Sequence, residues 1–422
     1  MQVKSQQAVI TGMICFLLLA FVVEAQAMER RRDQFTKVPG HYLVPMPYSL
    51  AGVGEGLLLG GLYNNAHDSH TDYIGFVLTG DLEGVGLIAS DVHLIDERLI
   101  ADFSFQRVTK ASVFSFNSRG MSSGENDYSI LDVEDNDYYA VRFTGTFYER
   151  MLEVYTGALD SRGRLVRIRD QDGALIQETS GAKSDASLLY VLGLRLDWTD
   201  DYVDPREGLR YDLSRWQRDQ DDPISSDYYI VEQNLTAYIP FGKRSTWAFN
   251  YFQADAHVTR QGSTDFARVE SNAGLDCSDS SLSTEQQQYC VAIVDNSIAN
   301  NRYGTVGAFG GHSRLRSYPN DRYKGAHARF YGTEFRWNIT EEFKPFDIGI
   351  AKDVRTGIQL ALFYETATVA DEKSQLGDIY RDTYGIGARL VTASGLVIRI
   401  DYATGDEGPE VTAIVGYPWE SF

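Results

Sequence analysis

The residues of this chain best suited to chemistry are Arg316 and the carboxylates Glu365 and Asp401. A guanidinium stays charged and presents a planar fork of donors, so against a carboxylate it forms a directional, charge-assisted pair. That chemistry holds and positions; it does not turn over a substrate. Arg316 lies in Gly310-Gly311-His-Ser-Arg-Leu315-Arg316-Ser317-Tyr318-Pro319-Asn-Asp-Arg-Tyr-Lys-Gly325, a basic stretch whose glycines and proline read as a long loop. Leu315 and Tyr318 are bulky for a freely solvated loop, which is therefore expected to fold back against the protein. Glu365 and Asp401 fall on the polar faces of two strand-like segments with one strand between them. Arg316 is expected to pin the loop through Glu365, with Arg399 and Asp401 in the surrounding network. The alternative is a scatter of solvated charges without specific partners.

Other reactive groups lead nowhere comparable. His67-Asp-Ser-His70 has metal-ligand spacing but no third ligand in its loop, so it reads as a solvated pair and no metal is expected. His312 and Ser313 are adjacent and point apart, and no G-x-S-x-G elbow occurs, so no catalytic residue, enzyme activity or cofactor is expected. The stretch Asp197 to Gly208 carries Asp197, Asp200, Asp201 and Asp204 but lacks the glycine and glutamate positions of a calcium loop, and reads as a polar interstrand turn. Cys277 and Cys290, in a polar stretch of an exported chain, are expected to form a disulfide that staples a surface loop. A net charge of -20 argues against nucleic acid as a partner. Acidic clusters such as Asp132 to Asp137 and Asp219 to Asp222 are read as solvated turns and loops.

The elements that must position these groups are strands. An apolar run centred on Ile14 to Val23, followed by Ala25-Gln-Ala27, is expected to be a cleaved signal peptide over 1–27. Residues 28–53, with Pro45 and Pro47, read as a short periplasmic segment, and 54–422 as one domain. Within it Leu188, Tyr190, Leu192, Leu194 and Leu196 alternate with Gly193, Arg195 and Asp197. Ile358, Leu360, Leu362 and Tyr364 alternate with Gln359, Ala361, Phe363 and Glu365, and Ile398, Ile400 and Tyr402 with Arg399 and Asp401. A soluble sandwich would show the same alternation. Arginine and carboxylate beside glycine on the polar faces, with Tyr or Trp ending the apolar ones, favour a membrane wall. The fold expected is all-β: a single transmembrane antiparallel barrel of about 16 strands, with a long extracellular loop folded into its lumen.

Two segments resemble the BamA/TamA superfamily of outer-membrane assembly factors, the bacterial surface antigens. Leu315-Arg316-Ser317-Tyr318-Pro319 after Gly310-Gly311 is similar to the family's long-loop motif, although Ser317 stands where the family has glycine. Asp197-Trp-Thr-Asp200, then Pro205 and Gly208, is similar to its hairpin motif, with Thr199 in place of an arginine. Leu362 to Glu365, Tyr384 to Leu390 and Gly395 to Ala403 resemble its last strands. The resemblance implies protein or lipid translocation or assembly in the outer membrane of a Gram-negative bacterium. It implies as partners lipopolysaccharide, phospholipid and an unfolded outer-membrane or secreted protein, with the chain a monomer. The POTRA repeats that precede the barrel in the family are not expected here. A structural or porin-like barrel with a loop-plugged lumen is the competing reading.

Val411, Ala413, Val415, Tyr417 and Trp419 read as one last apolar face before a terminal Phe422. Pro418 interrupts it and cannot donate to a ladder, so a weakly bonded seam between last and first strands is expected.

Overall fold

The computed structural model describes residues 30–31, 34–35, 39–178, 185–340 except 221, 346–348, 351–354, 356–392 and 397–420. The expected signal peptide and Phe422 lie outside these residues. Sixteen strands form the barrel wall: β1 (Gly40–Leu50), β2 (Gly54–Asn64), β3 (Asp72–Gly80), β4 (Glu83–Ile95), β5 (Leu99–Phe116), β6 (Tyr128–Phe147), β7 (Leu152–Arg169) and β8 (Asp185–Thr199), then β9 (Gly208–Asp219), β10 (Asp227–Phe241), β11 (Ser245–Arg260), β12 (His327–Asn338), β13 (Thr356–Ala370), β14 (Arg381–Thr392), β15 (Val397–Gly405) and β16 (Gly408–Val415). Each pairs antiparallel with the next, and β16 meets β1 to close the ring. With an even strand number both ends of the wall fall on one rim, the terminus rim. The opposite rim carries the longest connection, between β11 and β12, which holds α1 (Phe266–Asn272) and α2 (Thr284–Tyr303).

The alternation decides which face looks out. Leu192 and Leu362 are 59% and 58% exposed on the outside, whereas Arg195, Glu365, Arg399 and Asp401 are buried inside. Charged groups are almost never fully buried unless paired, and so broad an exposed apolar belt is a surface for hydrocarbon. This inverts a soluble sandwich. The lumen in turn has its own core. Wall residues Phe252, Ala254, Ala328, Phe330 and Ala367 pack against Phe309, Leu315, Tyr318 and Tyr323 of the β11–β12 connection.

Three expectations are corrected. The barrel begins at Gly40, not at residue 54: β1 pairs with β2 over eleven positions without a register shift. Pro45 and Pro47 disguised it, because proline cannot occupy a strand hydrogen-bonded on both edges. Asp132 to Asp137 lies within β6 instead of a turn, its carboxylates met by Arg169, Arg164 and Arg107 across the ladder. Finally, Tyr417 and Trp419 do not continue the outer face of β16. The chain turns at Gly416 (φ +100°) and both side chains are buried in the lumen.

Candidate functional site

The loop is built to enter the lumen. Gly310 and Gly311 take φ of +115° and +84°, where a Cβ would strike the Pro319 carbonyl and the Asn320 side chain. The Gly311 amide donates to the Tyr318 carbonyl at 2.7 Å, and the Tyr318 amide to the Leu315 carbonyl at 3.0 Å. This fold-back drives Leu315, Arg316, Ser317 and Tyr318 into full burial. Ser317 needs no left-handed backbone, which falls on Leu315 instead. Its hydroxyl lies 2.6 Å from that of Thr383, and Gly405 leaves the room it occupies.

Arg316 meets both predicted carboxylates. Its Nε donates to Glu365 Oε1 at 2.9 Å and its Nη1 to Asp401 Oδ2 at 2.8 Å. Its backbone amide donates to Glu365 Oε2 at 3.1 Å, so this one carboxylate grips main chain and side chain together. Arg399 completes the expected network, donating to Asp401 at 2.8 Å and to the His312 carbonyl. Burial alone would lower the Arg316 pKa, but Glu365, Asp401 and Glu334 outweigh it and hold the guanidinium above its ordinary value.

Several members were not foreseen. Glu334 on β12 accepts from Arg316 at 3.3 Å, from Arg336 at 2.7 Å and from Arg389 at 2.6 Å. Its signal was legible: Glu334 and Arg336 sit two apart, opposite Phe335 and Trp337. The Phe363 ring lies 3.4 Å beneath the Arg316 guanidinium. Trp419 also arrives, its indole N–H donating to Glu365 Oε1 at 2.8 Å while its carbonyl accepts from Asn234 at 2.7 Å. Nothing in the strand alternation could reveal that a residue beyond the last strand turns inward.

The predicted hairpin closes the terminus rim. Asp197 accepts from Arg210 at 2.9 Å, and Asp200 takes the Arg206 and Glu207 amides at 2.7 and 3.0 Å. Pro205 lies in the turn, and Gly208 holds φ +108°, where a Cβ would overlap the Trp198 carbonyl. Position 199 is threonine, and a guanidinium reaches it from elsewhere: Arg30 donates to the Thr199 carbonyl at 2.8 Å. Asp204, buried, accepts from the Tyr417 hydroxyl at 2.6 Å and lies 2.9 Å from Arg206. Burial opposes its ionisation, but Arg206 and Arg31 override this and hold the carboxyl well below its usual range.

At the other rim the loop straddles the seam. Asn320 donates to the Ala51 carbonyl between β1 and β2, and Arg322 grips Glu407 between β15 and β16 at 2.7 Å. The seam itself is almost unbonded. Among the described residues, Ser49 to Ala413 is the one pair joining β1 to β16, whereas β15 and β16 share eight pairs. Pro418 lies beyond this ladder, so it is not the cause. Pro45 and Pro47 share one edge of β1, and the full ladder to β2 leaves their missing donors facing β16.

Cys277 and Cys290 are bonded. They lie in the loop-rim cluster formed by α1, α2 and the end of β7, among Ile168, Val269 and Val294.

No family model matches the chain, and no curated protein matches it. Among solved structures it is similar to BamA from Haemophilus ducreyi lacking POTRA domains 1-3, at 12% identity and TM-score 0.46, covering 90% of this chain and 70% of that one. It is similar to CdiB from Escherichia coli at 10% identity and TM-score 0.48, covering 91% of this chain and 68% of that one. CdiB from Acinetobacter baumannii gives 10%, 0.43, 90% and 66% in the same order. The sixteen-strand closure is a property of this chain's own pairing.

Proposed function

We propose that this barrel sits as a monomer in the outer membrane of a Gram-negative bacterium, exported by its N-terminal segment, with the terminus rim toward the periplasm. There it translocates or assembles an unfolded outer-membrane or secreted protein at the β1–β16 seam, among lipopolysaccharide and phospholipid. The observation that supports this reading is the seam, where Ser49–Ala413 is the one β1–β16 pair among the described residues. An extended substrate segment can add its main-chain donors and acceptors to such an edge. The Arg316 cluster is then a positioning device, not a catalytic one. It anchors a loop that reaches both sides of the seam.

A test is to lock the seam. Directly paired residues on antiparallel strands have Cα atoms about 4.5–5.5 Å apart, within disulfide reach. The Ser49→Cys/Ala413→Cys protein, oxidised in proteoliposomes, should stop assembling an unfolded outer-membrane protein and regain the activity on reduction. Equal activity in both states sinks the reading. A structural or porin-like barrel is favoured by a different observation, the lumen filled by Leu315, Tyr318 and Trp419. Gene deletion separates the two: loss of other outer-membrane proteins supports assembly, and altered permeability alone supports the porin-like barrel.

A further inference from the structure

We propose that His70, His93 and Asp96 form a binding site for a divalent transition metal, zinc by ligand type, at the terminus rim. In the sequence the metal-like spacing is that of His67 and His70, which read as a solvated pair with no metal expected. The fold leaves His67 exposed beside Tyr63 and gathers His70, between β2 and β3, with His93 near the end of β4 and Asp96 in the β4–β5 turn. One ligand atom from each lies within 4.8 Å of the other two.

The chemistry of each group fits. The His70 ring Nδ1 faces the Phe35 carbonyl, which fixes Nδ1 as the protonated nitrogen and leaves Nε2 with a free lone pair. Metal-binding histidines are commonly oriented in this way, one nitrogen donating to a backbone carbonyl. His93 Nδ1 lies 3.3 Å from Asp96 Oδ1 and also 3.2 Å from the Glu97 amide. A proton on Nδ1 would suit the carboxylate and oppose the amide; a lone pair there does the reverse. A cation between Nδ1 and Oδ1 takes the Nδ1 lone pair and suits the carboxylate, and the Glu97 amide must then release Nδ1. Two ligands about 2.0–2.2 Å from a tetrahedral ion lie about 3.3–3.5 Å apart, as His93 Nδ1 and Asp96 Oδ1 do at 3.3 Å.

The surroundings are those of a partly enclosed site. The imidazoles stack at 4.6 Å with 19° between their planes, so one ring must turn about its Cβ–Cγ bond for both lone pairs to meet a single ion, and Phe35 stands edge-on to His93 at 5.8 Å. The His93 side chain is 7% exposed and that of Asp96 83% exposed, so one side of the cluster opens to solvent. Two imidazoles and one carboxylate with a water in the fourth position suit zinc, and they suit magnesium poorly because it prefers oxygen ligands. Asn65, His67, Asp68 and His70 all hold left-handed backbone angles, and it is this turn that carries His67 away and His70 inward. Because Phe35 contributes both its carbonyl and its ring, an ion here would fasten the chain ahead of β1 to the rim.

The experiment uses the full chain without a histidine tag, in detergent, stripped with a chelator and titrated with Co(II) alone and with Zn(II) alone. The expected result is one equivalent bound, with the visible absorption of four-coordinate cobalt, displaced by zinc and unaffected by magnesium. His93→Ala removes a ligand and should weaken binding by at least about 100-fold, the upper end of what loss of an outer-shell partner costs, and Asp96→Asn, which keeps one oxygen, by at least about 10-fold. His67→Ala should leave it unchanged. Gel mobility before and after heating reports whether each variant folds, and Asp96→Asn, at an exposed position, remains informative should the histidine variants misfold. The proposal is overturned if cobalt gives no such absorption, if folded His93→Ala and Asp96→Asn bind as the parent does, or if His67→Ala alone abolishes binding.

Discussion

Trp419 and Arg316 donate to the same oxygen, Glu365 Oε1, at 2.8 and 2.9 Å. One residue belongs to the tail that follows the last strand, the other to the loop between β11 and β12. Glu365 on β13 therefore ties the two ends of the seam's machinery together, and whatever frees the tail also removes a neighbour from the loop arginine.

Arg316→Ala should leave Glu334, Glu365 and Asp401 short of a cation inside the lumen. Removing one partner of a buried ion pair typically costs about 3–5 kcal/mol. The folded barrel should convert to its heat-denatured gel form at a clearly lower temperature. Arg316→Lys should recover only part of the loss, since a point charge cannot reach three carboxylates with a fork. An unchanged transition in the alanine variant would refute the pinned loop.

Trp419→Phe keeps an aromatic ring and removes the indole donor, leaving Glu365 one bond short at a cost of about 1.5–3 kcal/mol. Trp419→Ala also empties part of the lumen core, for about 3–5 kcal/mol. Carboxypeptidase should then shorten the variants faster than the parent protein. Equal rates would place the tail elsewhere in solution.

Asp204 gives a pH signature. Its folded pKa lies below the ordinary value near 4, so its contribution is complete above that value and is lost as pH falls below it toward the folded pKa. Stability in urea should fall below about pH 4, with release of the Tyr417 hydroxyl. Asp204→Asn should be weaker already at neutral pH and show a flatter acid limb. A variant with the parent's acid profile would remove Asp204 from the tail's anchorage.

Reduction of Cys277–Cys290 should act locally. A bridge of this span contributes about 3 kcal/mol by loop closure, and of its neighbours Val269 and Val294 belong to α1 and α2, while Ile168 lies at the very end of wall strand β7. Cys277→Ser/Cys290→Ser should speed protease cleavage between 266 and 303 and leave the heat-modifiable mobility of the barrel intact. A drop in barrel melting would mean that the helices brace the wall.

The sequence by itself determined the wall, the inward arginine and two of its carboxylates, because a strand's side chains alternate with period two and each face declares its medium. Leu362 beside Glu365, and Ile400 beside Asp401, are enough to orient their strands. It determined the fold-back of Gly310 to Pro319 as well, because paired glycines and a proline limit the backbone locally. Tertiary structure alone decided what depends on closure of the ring. Period two stops at Val415, so whether Tyr417 and Trp419 face lipid or lumen is fixed by the Gly416 turn and by Asp204 and Glu365, far away in the chain. The same holds for Glu334 as the third carboxylate, for Pro45 and Pro47 at an edge facing β16, and for His93 beside His70. Each pairs groups from strands that meet only once the sheet has curved and its register is set.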